Sequence, residues 1–99
     1  MASKRFYRRR FLNRRGHHAG AYVIADCKIS APTAPDKRGW ISADVKISDC
    51  FRVADLDFGG GDRAAIRNAL YKARLLRDTL IEFTEALEKA AEEWERPVR

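Results

Sequence analysis

The segment from Lys4 to Arg15 carries the clearest potential for chemistry in this chain, and that chemistry is contact with polyanions. It reads KRFYRRRFLNRR and holds seven basic side chains, three aromatic rings and no acid. Guanidinium groups pair with phosphates, and rings stack on unpaired bases. The composition predicts contact with DNA or RNA through ten side chains, namely Lys4, Arg5, Phe6, Tyr7, Arg8, Arg9, Arg10, Phe11, Arg14 and Arg15.

The net charge of +6 comes from this same segment. Residues 1–20 carry seven basic groups and no acid, whereas residues 21–61 carry five basic and six acidic groups, and residues 62–99 carry eight of each. Three other interpretations of the basic segment stay open: a solvated tail, an amphipathic helix that packs on its own domain, and a contact with an acidic protein or a membrane surface.

We expect residues 1–19 to form a flexible arm or a short helix. Tyr7 and Phe11 are four residues apart, as are Phe6 and Arg10, which allows two to three helical turns. A peptide of this length is marginal as an isolated helix, so it would order on the body or on a partner. Gly16 to Gly20 then provides a joint to the remaining domain, residues 20–99.

A second candidate surface lies on the C-terminal half of the chain, where charges are segregated in blocks. Basic side chains come first and acidic ones follow, an order that opposes the helix macrodipole. An antiparallel second copy could pair basic with acidic side chains, or the arm could fold back onto the acidic end. The third interpretation is a charged helix face that is simply solvated. The predicted protein-interaction face contains Arg63, Arg67, Arg74, Arg77, Glu85 and Glu88.

The remaining motifs do not indicate catalysis, so we expect no enzyme, no catalytic residue, no metal and no cofactor. Pro35-Asp36 followed by Asp44-Val45-Lys46 has the outline of a PD-(D/E)xK nuclease motif, but Asp26-Cys27-Lys28 repeats its short half, which indicates chance. His17 and His18 are interpreted as linker residues, because no third ligand is set by spacing to Cys27, Asp55 or Asp57. No lysine follows the glycines at 59–61 in phosphate-loop spacing.

Three stretches have the two-residue period of half-buried strands. They are residues 20–31, residues 41–48 opened by Trp40, and residues 51–58, with a slip of one residue near Asp49 that predicts a tight turn or bulge. The segment 31–39 contains two prolines and is predicted to be a loop.

A long helix is predicted to begin after Asp62, its N-cap, and to end near Glu95. Its apolar stripe recurs at steps of three and four. The predicted fold is α+β: a three-stranded antiparallel β-meander packed on one long C-terminal α-helix, or βββα. Because the helix is longer than its strands, its overhang requires cover by the arm's aromatics, a second copy or a foreign partner. The stripe comprises Ile66, Ala69, Ala73, Leu76, Leu80, Phe83, Leu87, Ala90 and Trp94.

The expected location is the cytoplasm. No apolar run approaches the length of a membrane helix, and the basic N-terminus lacks the apolar stretch of a secretory signal. Cys27 and Cys50 match no zinc or redox spacing and are expected to be reduced, semi-buried thiols, with a disulfide between neighbouring strands as the alternative.

Part of the chain resembles short uncharacterised proteins of actinobacterial phages and prophages. The resemblance lies in Ile47-Ser48-Asp49-Cys50, Leu56-Asp57-Phe58, the glycines, and the helix run RNALYKARLL at 67–76 through Leu80 and Phe83. It implies a context in a host cell's cytoplasm, where small phage accessory proteins often occlude a host machine such as a defence nuclease or a transcription enzyme. It carries over no functional residue, and the basic arm departs from it.

Two functions from different classes follow. The first is a small non-enzymatic nucleic-acid-binding accessory protein that uses the arm. The alternative is a phage-type protein-interaction module that inhibits a host complex through the charged helix face or the polar sheet face. A self-associating protein, a homodimer through the long helix, is a third possibility.

Overall fold

A computed structural model describes residues 2–32, 34 and 38–97. Four strands precede one helix: β1 (Ala2–Phe11), β2 (Ala21–Ser30), β3 (Trp40–Asp49), β4 (Arg52–Asp57) and α1 (Arg63–Glu95). The strands form one antiparallel sheet in the order β1-β2-β3-β4. The α+β class and the single C-terminal helix are therefore confirmed.

The number of strands was predicted wrongly, because the basic segment adds a fourth. Residues 2–11, expected as a flexible arm or a short helix, pair along β2 from Ala2 opposite Ser30 to Phe11 opposite Tyr22. The register shifts between Lys4 and Phe6, so Arg5 forms a bulge. The backbone N–H and C=O groups of β2 pair with those of residues 2–11. A helical arm would have left these groups of β2 unpaired.

The other strands lie within one residue of the predicted positions. The slip near Asp49 is a two-residue hairpin in which Cys50 and Phe51 have φ angles of 48° and 71°. Positive φ at both central residues is the geometry of a type I′ turn, which matches the twist of the flanking strands but normally uses Asn or Gly. This turn is consequently strained.

The helix begins where the sequence predicts. Asp62 is the N-cap, and its Oδ1 accepts a hydrogen bond of 2.8 Å from the backbone N–H of Ala65. Gly60 explains the glycine run, since it exchanges two backbone hydrogen bonds with Ile41, and an added Cβ would lie 2.7 Å from the Cβ of Ala65. The glycines therefore allow the chain to turn tightly from sheet to helix.

The pairing register assigns side chains to two faces of the sheet, because successive residues of a strand point to opposite sides. We call the side towards α1 the apolar face. Lys72 anchors the start of the helix there: its Nζ donates to the carbonyl oxygen of Asp57 at 2.7 Å and lies 5.0 Å from the ring centre of Phe58. From β2 to β4 the apolar face comprises Val23, Ala25, Cys27, Ile29, Ile41, Ala43, Val45, Ile47, Ala54 and Leu56.

The two layers of the predicted sandwich are present, but they do not close on each other. Within the described residues only Ala21, Ser48, Gly60 and Ala69 are buried, and every residue of α1 from Arg77 onward is exposed. The helix has 33 residues and a length of about 50 Å, against about 33 Å for a ten-residue strand. The overhang predicted from the sequence is therefore real, and the extents are 71 × 27 × 20 Å.

Candidate nucleic-acid interface

β1 is an edge strand whose side chains divide between the two faces of the sheet. Its described residues are exposed from Ser3 to Leu12. The bulge at Arg5 sets the division, placing Phe6, Arg8 and Arg10 on the apolar face. The opposite side, which we call the polar face, receives Lys4, Tyr7, Arg9 and Phe11. Eight of the ten predicted site residues are thus brought together along this edge strand, but they do not form a single surface, and Arg14 and Arg15 lie in the loop that follows.

Each aromatic ring of β1 has a basic group above it. The Nζ of Lys4 lies 5.0 Å from the Tyr7 ring centre, and the guanidinium carbon of Arg9 lies 5.3 Å from that of Phe11. On the apolar face the guanidinium carbon of Arg8 lies 5.1 Å from the ring centre of Phe6. Cation–π contacts at exposed sites contribute only about 0.5–1 kcal/mol, so a phosphate can readily compete for these cations.

No cation of β1 forms an ion pair with an acid among the described residues. The three ion pairs found there join Lys28 to Asp26, Lys46 to Asp55 and Arg77 to Asp78. The only side-chain hydrogen bonds of the β1 arginines in this part of the chain go to local carbonyls, as from Arg8 to Tyr7 at 3.0 Å. Most guanidinium donors of the strand are consequently available to a ligand.

Aromatic rings continue from β1 onto β2 across the polar face. Tyr22 of β2 stands opposite Phe11 of β1, and both side chains belong to the polar face. Tyr7 is 43% exposed and Phe11 is 56% exposed. Because four residues separate them, these two rings lie about 13 Å apart along the strand. This arrangement offers flat apolar surfaces between positive charges.

Two chain turns meet at the end of the sheet where β1 finishes. The loop 12–20 carries Arg14 and Arg15, and the β3–β4 hairpin carries Phe51, which is fully exposed, and Arg52. His18 joins the two turns, with its Nε2 3.4 Å from the Sγ of Cys50. The backbone N–H of Gly20 donates to the Nδ1 of the same ring at 3.2 Å. The basic surface therefore extends from β1 onto both turns.

The same contact brings together groups able to bind a metal. Ligand atoms of His18, Asp49 and Cys50 all lie within 4.8 Å of one another, and all three residues are exposed. Sequence spacing sets no metal site for His17 and His18 with Cys27, Asp55 or Asp57, so no metal is predicted from the sequence. Pairing the two turns through the sheet, rather than sequence spacing, creates this set, whose nitrogen, oxygen and sulfur donors are of the types that zinc accepts. Cys27 and Cys50 are free thiols; Cys27 is half-buried as predicted, whereas Cys50 is exposed rather than semi-buried.

A row of acidic side chains crosses the polar face from β2 to β4. Asp26 on β2, Asp44 on β3 and Asp57 on β4 stand opposite one another in a row across the sheet. Like charges directly opposite on neighbouring strands are unfavourable. Asp44 and Lys46 share this face, but Asp36, the first acid of the nuclease pattern, lies outside the described residues. The polar face is thus basic and aromatic at β1 and acidic towards β4.

The charged face of α1 is exposed to solvent. Its six predicted residues are exposed, and only Arg77 forms an ion pair within the described part of the chain, with Asp78 at 2.9 Å. The first turn contains no acid and the last turn no base. The charge order predicted to oppose the macrodipole is therefore present in the folded helix.

An open apolar groove separates the helix from the sheet. It has a volume of about 900 Å³ and lies between the apolar face and one side of α1. Phe6, Cys27 and Val45 line it from the sheet, while Leu70, Leu80 and Ile81 line it from the helix. The helix therefore lies alongside the sheet and leaves the space between them open.

Comparison with protein-family models, with curated proteins and with solved structures gave no match. Within the described residues, no helix combines the length and the apolar character needed to cross a lipid bilayer.

Proposed function

We propose that this protein is a non-enzymatic nucleic-acid-binding protein that holds single-stranded DNA or RNA along β1 and the adjoining polar face. The observation that carries the proposal is the exposed edge strand on which Lys4, Tyr7, Arg9 and Phe11 share one side, with no acid paired to either cation among the described residues. Phosphates would pair with the cations, and bases would stack on the rings.

The rings favour a single strand over a duplex. A duplex keeps its bases stacked inside and offers an edge strand mainly phosphates, whereas unpaired bases can stack on Tyr7, Phe11 and Tyr22. Stacking on an aromatic side chain contributes about 1–3 kcal/mol per base and depends little on sequence. The proposed binding is therefore tolerant of sequence.

Electrostatics supplies a quantitative expectation. If all seven cations between Lys4 and Arg15 met phosphates of a single strand, log K would fall with log salt with a slope of about −5, since each contact contributes roughly 0.7. Contacts restricted to Lys4 and Arg9 of the polar face would give a slope of about −1.4. The measured slope thus gives the number of cations between Lys4 and Arg15 that contact phosphates.

The test is fluorescence anisotropy of labelled single- and double-stranded oligonucleotides at several salt concentrations. Deleting residues 1–15 would remove a strand of the sheet, so point variants of the full chain are the better tool. The double variant Lys4→Ala/Arg9→Ala should weaken binding and flatten the salt slope. Lys89→Ala/Arg96→Ala, with the same loss of net charge at the far end of the helix, should bind like the unaltered chain. No binding at low salt, or equal losses in both variants, would contradict the proposal.

A second candidate function, the phage-type protein-interaction module, draws its support from a different surface. The exposed charged face of α1 and the open groove beside it are suited to contact with a protein. A host complex inhibited in this way would bind the Lys4→Ala/Arg9→Ala variant and the unaltered chain equally. It would lose affinity when Arg74 and Glu85 are replaced.

A further inference from the structure

The chain exposes far more surface than a compact monomer of its mass. Its accessible surface is 8796 Å² for 11.3 kDa, whereas folded monomers of that mass expose roughly 5,700 Å². The radius of gyration is 18.5 Å, against about 13 Å for a compact chain of this length. The excess of roughly 3,000 Å² exceeds the ~800 Å² per partner of a standard interface.

Exposed apolar side chains form part of this excess surface. Beyond the groove, the uncovered stripe of α1 continues through Phe83 and Leu87 to Trp94, which are 60%, 56% and 85% exposed. A small ligand would fill the groove and leave this second half of the helix bare. An occupant that covers the whole apolar surface must therefore be long enough to follow both the groove and the second half of α1.

The charges of α1 indicate what that occupant is. The basic half of the helix, residues 63–77, contains five basic side chains and no acid, while the acidic half, residues 78–95, contains seven acids and one lysine. A second α1 running antiparallel sets each basic half against an acidic half. A parallel copy would set like charges together, which is unfavourable.

Individual positions match under this antiparallel arrangement. With a two-fold axis between Thr79 and Leu80, Arg67 faces Glu92 and Arg74 faces Glu85, and Arg63 faces Glu95 with an offset of one residue. All six side chains are exposed and, within the described residues, unpaired. The same axis pairs the apolar stripe with itself: Ala69 faces Ala90 and Leu76 faces Phe83. With an offset of one residue, Ile66 faces Trp94, Ala73 faces Leu87, and Leu80 faces Leu80.

We propose that a second copy of this chain occupies the groove, with the two α1 helices antiparallel. Each sheet is then covered by the basic half of its own helix and by the acidic half of its partner's. Apolar burial supplies the affinity, and the charge pairs select the orientation. The arm is not free to fill the groove instead, because residues 2–11 are committed to β1. This inference is independent of nucleic-acid binding.

A charge-swap experiment tests the pairing with the full chain. The acid-rich variant Arg67→Glu/Arg74→Glu and the base-rich variant Glu85→Arg/Glu92→Arg each place like charges together in a self-dimer, whereas a mixture restores opposite charges at every site. Sedimentation equilibrium should give twice 11.3 kDa for the unaltered chain. It should give a dissociation constant at least tenfold weaker for each variant alone, and recovery in the equimolar mixture. A monomeric unaltered chain, or no gain on mixing, would overturn the proposal.

Cross-linking tests the direction of the helices. In a Cys50→Ser background, Leu80→Cys places two thiols at the two-fold axis, and a mild oxidant should join the chains. Trp94→Cys is the matched control, because antiparallel helices put the two cysteines about 44 Å apart at 1.5 Å per residue. Dimer bands on a non-reducing gel from Leu80→Cys alone support the arrangement. Bands from Trp94→Cys at equal or higher yield, or from neither variant, overturn it.

Discussion

The thiol of Cys50 lies 3.4 Å from the Nε2 of His18, although 32 residues separate them in the chain. The contact joins the loop 12–20 to the β3–β4 hairpin. The side-chain amide of Asn13 adds a hydrogen bond of 2.9 Å to the carbonyl oxygen of His18. One imidazole therefore organises the end of the sheet that carries Arg14 and Arg15.

Replacing this imidazole should loosen the loop. His18→Ala removes the acceptor for the Gly20 N–H and the contact with Cys50, so we expect a loss of about 1 kcal/mol in the free energy of unfolding. Urea denaturation measures the loss, and amide exchange should rise across residues 12–20. His17→Ala is the matched control, and equal effects of both variants would mean that His18 does not organise the loop.

The strained hairpin predicts a gain in stability from a single substitution. Phe51 has φ 71° and a fully exposed ring, so Phe51→Gly should relieve the strain and raise the free energy of unfolding by about 1 kcal/mol. Phe51→Ala removes the ring but keeps the Cβ that causes the strain, and it should leave stability nearly unchanged. Thermal or urea unfolding of both variants separates the two contributions, and equal stabilities would contradict the strain at this position.

The division of β1 between two faces predicts opposite outcomes for two phenylalanines. Phe11→Leu removes a ring from the polar face and should weaken binding of single-stranded oligonucleotides by roughly tenfold, since stacking contributes about 1–3 kcal/mol per base. Phe6→Leu changes the apolar face, where Phe6 lines the groove, and should leave that affinity unchanged. Anisotropy titrations check both, and a larger loss for Phe6→Leu would place the nucleic acid on the other face.

The near absence of a buried core predicts a stability that depends on concentration. In the proposed dimer the second copy covers apolar surface that the lone chain exposes, so raising the protein concentration should raise the melting temperature. A calorimetric or circular dichroism series over a hundredfold range of concentration measures this. The variant Leu80→Asp should lower the melting temperature most at high protein concentration. A melting temperature that is constant across the range would indicate that the lone chain is the folded unit.

The sequence predicted those elements whose residues obey one period. β2, β3 and α1 have clear two- or three-four-residue patterns, and local packing preserves them. β1 could not be recognised in this way, because the bulge at Arg5 shifts the alternation and because its pairing with β2 is a long-range interaction.

The candidate interface was predictable in composition but not in arrangement. The cations and rings between Lys4 and Arg15 could be identified from the sequence, whereas their division between two faces depends on strand pairing. The proximity of His18 to Cys50 likewise arises only when β2 and β3 bring two turns to the same end of the sheet. No local pattern encodes either relationship.

The opposite charge of the two sheet edges makes this protein an electrical dipole across its width. β1 and β4 are three strand spacings apart, about 14 Å, while the Debye length is about 8 Å at physiological ionic strength and about 30 Å at 0.01 M salt. In dilute salt an approaching polyanion experiences the electric field of both edges at once. This field turns the protein so that β1 faces the polyanion, while Asp55 and Asp57 of β4 weaken the attraction. At physiological salt each edge acts alone.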